Sequence, residues 1–293
     1  MLYLSLSVLC SVLLGFIFKL YPKFGVDGFQ AIIFNYFTCF ACGWLQMGKI
    51  PFAADGLSAP WVPFALVLGF VFISGFNGVA LTVRYFGVTV SQIMQKMSIL
   101  ITVPFAILAF QESSGVWKIV GIVLALAAII LVNWPSKATG SVGDNTRPYG
   151  KKLLLIPAIT WLLAGILEVL IVTVQKRHLI DPDSPTFIST VFGTAGAVGL
   201  AIAIIGWIRG TLVFSWRNVA GGIILGIPNY GSMLFMIMAL GKGLEGSLAF
   251  PAANVGVIIF TTIGAVSLFQ ERLSGINWAG IVLAVVSIAL ISG

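Results

Sequence analysis

Ten apolar stretches of about twenty residues follow one another along this chain, and that pattern constrains its fold more than any other feature. They run roughly over 2–20, 28–48, 61–83, 88–110, 114–134, 153–175, 186–208, 218–240, 245–268 and 273–292. Each matches the roughly 30 Å hydrocarbon core of a bilayer at the rise of an α-helix. No water is present there to satisfy backbone N–H and C=O groups, so only helices or a closed barrel can cross. The ten-residue polar/apolar alternation that marks a barrel strand does not recur. The expectation is an all-α, multi-pass membrane protein of ten transmembrane helices. Composition agrees: 59% of residues are hydrophobic and 9% charged, against about 45–50% apolar in soluble domains.

The formal charge of +7 does not point to nucleic acid. Its lysines and arginines sit mostly at segment ends and in loops, where such residues flank membrane spans, and no basic cluster is interleaved with aromatics. Cys10, Cys39 and Cys42 lie in apolar helical stretches and read as small packing residues; with no histidine beside them, neither a metal nor another cofactor is expected. His178, in Gln175-Lys-Arg-His178, reads as an interfacial anchor, as do Trp44, Trp61, Trp134, Trp207 and Trp278 near span ends. The first apolar segment has no basic lead-in and no small-residue cleavage site, so it is expected to stay as the first helix.

Most loops are short, which makes neighbouring helices antiparallel. The exception is the polar, glycine-rich, basic stretch 136–152, which separates a first half (1–135) from a second (153–293). The halves are related. Phe110-Gln-Glu112 recurs as Phe269-Gln-Glu271, and Gly121-Ile-Val-Leu-Ala125 recurs as Gly280-Ile-Val-Leu-Ala284, both at an offset of 159 residues. Two ungapped matches at one offset indicate a duplication. Five spans per half is an odd number, so the second half enters the membrane in the opposite direction. That is a 5+5 inverted-topology repeat, a plan in which the binding site lies at mid-depth between repeats.

Ten spans, a 5+5 duplication, and a Phe-Gln-Glu turn leading into a Gly-Ile-Val-Leu-Ala helix resemble the drug/metabolite transporter superfamily, EamA type. The resemblance covers essentially the whole chain. It implies ten helices around a central cavity, lined mainly by spans 1, 3, 4, 6, 8 and 9, with the last span of each half packed outside. It implies a monomer in the cell membrane (the bacterial inner membrane) that carries amino acids, metabolites, drugs, sugars or nucleotide-sugars. The fold does not choose among these.

Polar residues inside apolar spans narrow the choice. In span 4, Gln92, Gln95, Lys96 and Thr102 share a helical face. Lys96 lies about 12 Å inside the span, where a charge is costly and usually faces a bundle interior or a cavity. Glu168 in span 6 is the only acidic residue at mid-span, with Trp161 on its face. Three roles stay open for it: neutralising Lys96, carrying a coupling proton, or binding a substrate amine. In span 9, Asn254 occupies the repeat position of Gln95, and Val255 that of Lys96. Asn77 in span 3, with Asn229 and Tyr230 in span 8, completes the candidate substrate-binding set, because a buried amide needs a partner. Pro104 and Pro251 free backbone carbonyls within their spans.

The function expected is secondary active transport, as an exporter, of a small polar metabolite such as an amino acid or related carboxylate. Alternatives within the superfamily are a multidrug exporter or a sugar or nucleotide-sugar carrier. An enzyme is not expected, since no nucleophile, metal set or acid–base pair is clustered. Lysine and arginine predominate in the loops after odd-numbered spans, which would place both termini outside; the superfamily's habit is both inside. Accessibility of a tag fused after Gly293 decides between them.

Overall fold

The computed structural model describes residues 1–48, 58–134, 153–181, 185–269 and 274–292. The midpoint stretch 136–152 and the second copy of the Phe-Gln-Glu turn beyond Phe269 fall outside them. Among the described residues the secondary structure is helical throughout: α1 (Leu2–Phe24), α2 (Gly28–Met47), α3 (Val62–Lys96), α4 (Ile99–Phe110), α5 (Val116–Val132), α6 (Leu155–Lys176), α7 (Thr186–Ile208), α8 (Trp216–Gly241), α9 (Gly246–Phe269) and α10 (Gly275–Ser292). Among the described residues eight stretches are long and apolar enough to cross a membrane; the apolar helices Val116–Val132 and Gly275–Ile291 are shorter. Leu45, Leu108 and Ile208 are each about four-fifths exposed. Exposed leucine and isoleucine along apolar helices suit a hydrocarbon solvent rather than water. This is a polytopic helical membrane protein.

Spans 3 and 4 were expected to part near residues 84–87. The membrane-length segments Val62–Phe86 and Val90–Phe110 part there, although helical hydrogen bonding is kept through α3 to Lys96. The chain nevertheless reverses within it. Ser91 Oγ lies 3.5 Å from the carbonyl oxygen of Val79, whereas twelve residues of straight helix would separate them by about 18 Å. Regular helix breaks later, at Met97-Ser98, in the middle of the expected fourth span.

The chain forms two compact units. The first comprises Met1–Ser74 and Leu170–Gly243, and the second Gly75–Val169 and Leu244–Gly293. Each therefore draws on both sequence halves. In the first unit α8 packs on α1 and α2, and α2 on α7. Tyr21 donates its phenolic proton to the Gly221 carbonyl at 2.9 Å, and Ser7 donates to that of Ser232 at 2.7 Å. Tyr36, Phe72 and Phe192 cluster with ring centroids 5.4–6.3 Å apart. Trp61 is not a belt residue: it is buried, edge-on to Phe187 at 6.1 Å. Trp44, Trp134 and Trp278 are about half-exposed, as an interfacial role requires. Cys39 is buried, with its thiol 3.2 Å from the Gly226 carbonyl, and all three cysteines are free.

In the second unit α5 and α10 pack closely. A Cβ added to Gly121 would lie 2.7 Å from Ile291 Cγ1 and 3.0 Å from the Ser287 carbonyl oxygen. One added to Gly280 would lie 2.6 Å from the Val132 amide nitrogen. Each glycine is near the start of its helix and faces the end of the other, so the two helices run antiparallel. The contacts are also equivalent: the 159-residue offset carries Gly121 to Gly280 and Val132 to Ile291. Asn277 closes the pair, donating to the carbonyls of Val132 (2.8 Å) and Trp134 (2.9 Å).

Replacing Gly280 by alanine is expected to destabilise the protein by about 1–3 kcal/mol through overpacking against backbone. Gly28→Ala, at a position with open space around it, is expected to be near neutral. Thermal unfolding of the two variants in detergent checks this, and equal melting temperatures would contradict it.

Candidate functional site

The break between α3 and α4 builds the site. Around it the backbone tightens to i→i−3 bonds: Ser98 N–H donates to Gln95 O (3.3 Å), Leu100 N–H to Met97 O (3.0 Å) and Ile101 N–H to Ser98 O (2.8 Å). A 3₁₀ stretch inside an apolar helix commonly marks a hinge. The Met97 carbonyl accepts a second proton, from Trp161 Nε1 on α6 at 2.9 Å. The tight turn places Lys96 at the end of α3 and the Ser98 hydroxyl just beyond it, on the side of α6.

Glycine at 165 permits α6 to come close. A Cβ there would lie 2.4 Å from Ile101 Cδ1. One turn further along α6, the buried Glu168 meets the hinge. Its Oε1 accepts from Ser98 Oγ at 2.8 Å, and its Oε2 from Thr102 Oγ1 at 2.6 Å. Ser98 and Thr102 have no exposed surface. From α9, Asn254 bridges the two charges: its Oδ1 accepts from Lys96 Nζ at 2.9 Å, and its Nδ2 donates to Glu168 Oε1 at 3.4 Å. The acid and the lysine are thus linked through an amide. This relay keeps each charge hydrogen-bonded, without which burial would cost several kcal/mol per ion. Lys96 uses one of the three donors of its ammonium on Asn254, so two stay available to an anion.

An apolar cluster backs this polar set. Ile99 and Val103 of α4 are buried with Ile122, Ala125 and Ile129 of α5 and with Val255, Ile258 and Ile259 of α9. Val255, the repeat counterpart of Lys96, lies within that cluster at 1% exposure. Val257 stands in α9 where Ser98 stands in the first copy. Of these positions, matched by the 159-residue offset, only the first of each pair carries the charge or this hydroxyl.

A second group of acids holds the start of α9. The buried Glu112, from the Phe-Gln-Glu turn, accepts from the Gly246 N–H (2.9 Å), the Ser247 N–H (2.8 Å) and the Ser247 hydroxyl. A carboxylate at a helix N-terminus satisfies unpaired donors and opposes the helix dipole. Beside it Glu245 pairs with Lys118 and accepts from Ser113 Oγ at 2.6 Å. This clasp is not legible as one in the sequence pattern. The recurrence of Phe-Gln-Glu was the signal, and its role depends on a helix start more than 130 residues away.

Of the nine residues proposed for substrate binding, the structure brings Lys96, Asn254 and Glu168 into one hydrogen-bonded set, and Trp161 supports the hinge beside them. Gln95 turns back to its own helix, its Nε2 donating to Ser91 O at 3.2 Å; Gln92 is exposed and Asn77 is half-buried on α3. Asn229 and Tyr230 belong to the first unit. There Asn229 Nδ2 donates to Asn35 Oδ1 at 3.1 Å, and the Tyr230 hydroxyl to Gln46 Oε1 at 2.6 Å. Both bonds tie α8 to α2. Ser98 was missed, although its i, i+4 spacing to Thr102 places both hydroxyls on one face. Among the described residues no group of histidine, cysteine, aspartate or glutamate could hold a metal ion.

No family model matches the chain. An uncharacterized protein of Haemophilus influenzae is 29% identical over 292 residues, which covers 97% of this chain and 95% of that protein. A solved crystal structure matches with a TM-score of 0.76 at 14% identity, covering 99% of this chain and 94% of the other. It shares the fold.

Partial burial raises the Glu245 carboxyl, but the Lys118 ammonium and the Ser113 hydrogen bonds outweigh this and hold it down at about 2. A carboxylate depressed on folding stabilises above its unfolded value, and the gain is lost as pH falls through the folded value. Between about pH 4.5 and pH 2 the wild type is therefore expected to lose stability that Glu245→Gln lacks throughout. Melting temperature against pH for the two proteins checks this; parallel curves across that window would contradict it.

Proposed function

We propose that the chain is a secondary active transporter in the bacterial inner membrane, of a small polar metabolite that carries a carboxylate, such as an amino acid. The observation that carries this reading is the Lys96–Asn254–Glu168 set, a hydrogen-bonded group of buried and half-buried polar side chains within apolar segments. An intramembrane ionisable cluster of this kind marks a substrate or ion pathway. Lys96 has donors to spare, whereas both oxygens of Glu168 are already taken by Ser98, Thr102 and Asn254. The lysine is therefore the substrate-facing charge, and its preferred ligand is an anion. A multidrug carrier for cations would need its acid open instead.

The reading extends to mechanism. Two inverted five-helix repeats would work by alternating access, as in the drug/metabolite transporter superfamily that the sequence resembles. The antiparallel α5–α10 pair supports this, because two copies inserted in opposite directions meet through equivalent contacts. The site draws Lys96 from the first repeat, and Glu168 and Asn254 from the second. Rocking of one repeat against the other would reshape it, and the hinge at Met97-Ser98 lies where that motion would be felt.

Counterflow of radiolabelled amino acids in proteoliposomes tests the proposal. The wild type is expected to exchange at least one of them. Lys96→Ala is expected to lower apparent affinity about ten- to a hundredfold, the loss of a charge-assisted hydrogen bond. Normal exchange by both Lys96→Ala and Glu168→Ala would sink the site assignment.

A further inference from the structure

Asn254 is the one group that touches both charges of the site, and its two ends are chemically opposite. An amide presents an acceptor on one side and a donor on the other. With Glu168 ionised the orientation is settled: Nδ2 faces the carboxylate, so Oδ1 must face Lys96, as observed. Protonation of Glu168 on Oε1 reverses the requirement. The new O–H is a donor and would oppose the Nδ2 donor, so the amide must turn to offer Oδ1 to the acid. Its N–H₂ then faces the ammonium. Lys96 loses its acceptor and needs an anion in its place.

The edge of Glu168 that faces Asn254 is also the one a proton can reach. Thr102 on Oε2, and Ser98, which shares Oε1 with Asn254, have no exposed surface, whereas Asn254 is half-buried. Among the described residues Lys96 is the one charged group facing Glu168: α4 presents Thr102, the hinge Ser98, and α9 Asn254. The long Asn254–Glu168 bond of 3.4 Å is the weakest of the three on the acid, and so the cheapest to exchange.

We propose that Asn254 is a two-state amide relay through which protonation of Glu168 switches Lys96 from an internal hydrogen bond to binding of a carboxylate, so that one proton and one substrate carboxylate enter the site together. The charge count is consistent. Ionised Glu168 with Lys96⁺ is neutral, and neutral Glu168 with Lys96⁺ and a bound carboxylate is neutral as well. For a simple carboxylate, both states avoid net charge in the low-dielectric interior, which is the costly alternative. This inference rests on Lys96 being the carboxylate site and adds the coupling to it. Thermodynamic reciprocity then requires that acid strengthens carboxylate binding and that bound carboxylate promotes protonation.

The test uses the full chain in lipid nanodiscs with acetate as the probe, by titration calorimetry from about pH 8 down to about pH 6, where acetate itself stays ionised. The wild type is expected to bind acetate up to about tenfold more tightly per unit of acidification through the Glu168 titration. Glu168→Gln is expected to bind acetate with no pH dependence. In Asn254→Ala, and in the near-isosteric Asn254→Leu should alanine fail to fold, acetate binding is expected to persist with the pH dependence lost. If those variants keep the wild-type slope, the charges couple through space and the relay is wrong. Acetate binding that needs Lys96 but is flat with pH in the wild type overturns the coupling and leaves the substrate site standing. No acetate binding that Lys96→Met removes would overturn both.

Discussion

A carboxylate buried in an apolar helix bundle must be hydrogen-bonded on every side it presents, and much of the second unit answers that demand at Glu168. Two hydroxyls and one amide surround it. To deliver them, the chain breaks its helix at Met97-Ser98, gives up a side chain at Gly165 so that α6 approaches α4, and anchors the start of α9 on Glu112. Without the break, Ser98 would continue a regular helix and Lys96 would not stand at its end. The Glu112 anchor and the Glu245–Lys118 pair together fix the start of the helix that carries Asn254.

The second unit is symmetric in packing and asymmetric in chemistry at positions 159 residues apart. The Gly121–Ile291 and Gly280–Val132 contacts are copies of one another, because close approach of two helices needs only a missing Cβ and is satisfied equally from either side. Lys96 and Val255 occupy matching positions in the two copies, yet one is hydrogen-bonded to Asn254 and the other lies in an apolar cluster. Symmetric packing preserves the scaffold. A single ion-bridging site, by contrast, needs one charge of each sign and not two.

How far the sequence could be read follows from the range of the interactions. The apolar segments and their helical state are local features, and they were legible. Lys96, Glu168 and Asn254 could be picked out because each is a costly residue in an apolar span. Asn229 and Tyr230 have the same cost and looked the same, but they relieve it by bonding to Asn35 and Gln46 on a neighbouring helix. Nothing in a one-dimensional pattern separates a polar side chain that lines a site from one that ties two helices together. Trp61 shows the same limit, since a tryptophan near a span end can meet headgroups or, as here, a phenylalanine.

The sequence by itself determined that the chain is helical and membrane-embedded, because a bilayer leaves long apolar segments no other way to satisfy their backbone. It also determined which few residues carry an unaffordable charge or amide. Only the tertiary structure decided which of them meet. It routed the Lys96–Glu168 contact through Asn254, and it added a helix break beside Lys96, within the fourth span. Those outcomes depend on angstrom-scale approach between helices far apart in the chain, set by a glycine at 165 and a carboxylate at 112, and hydropathy carries no record of either.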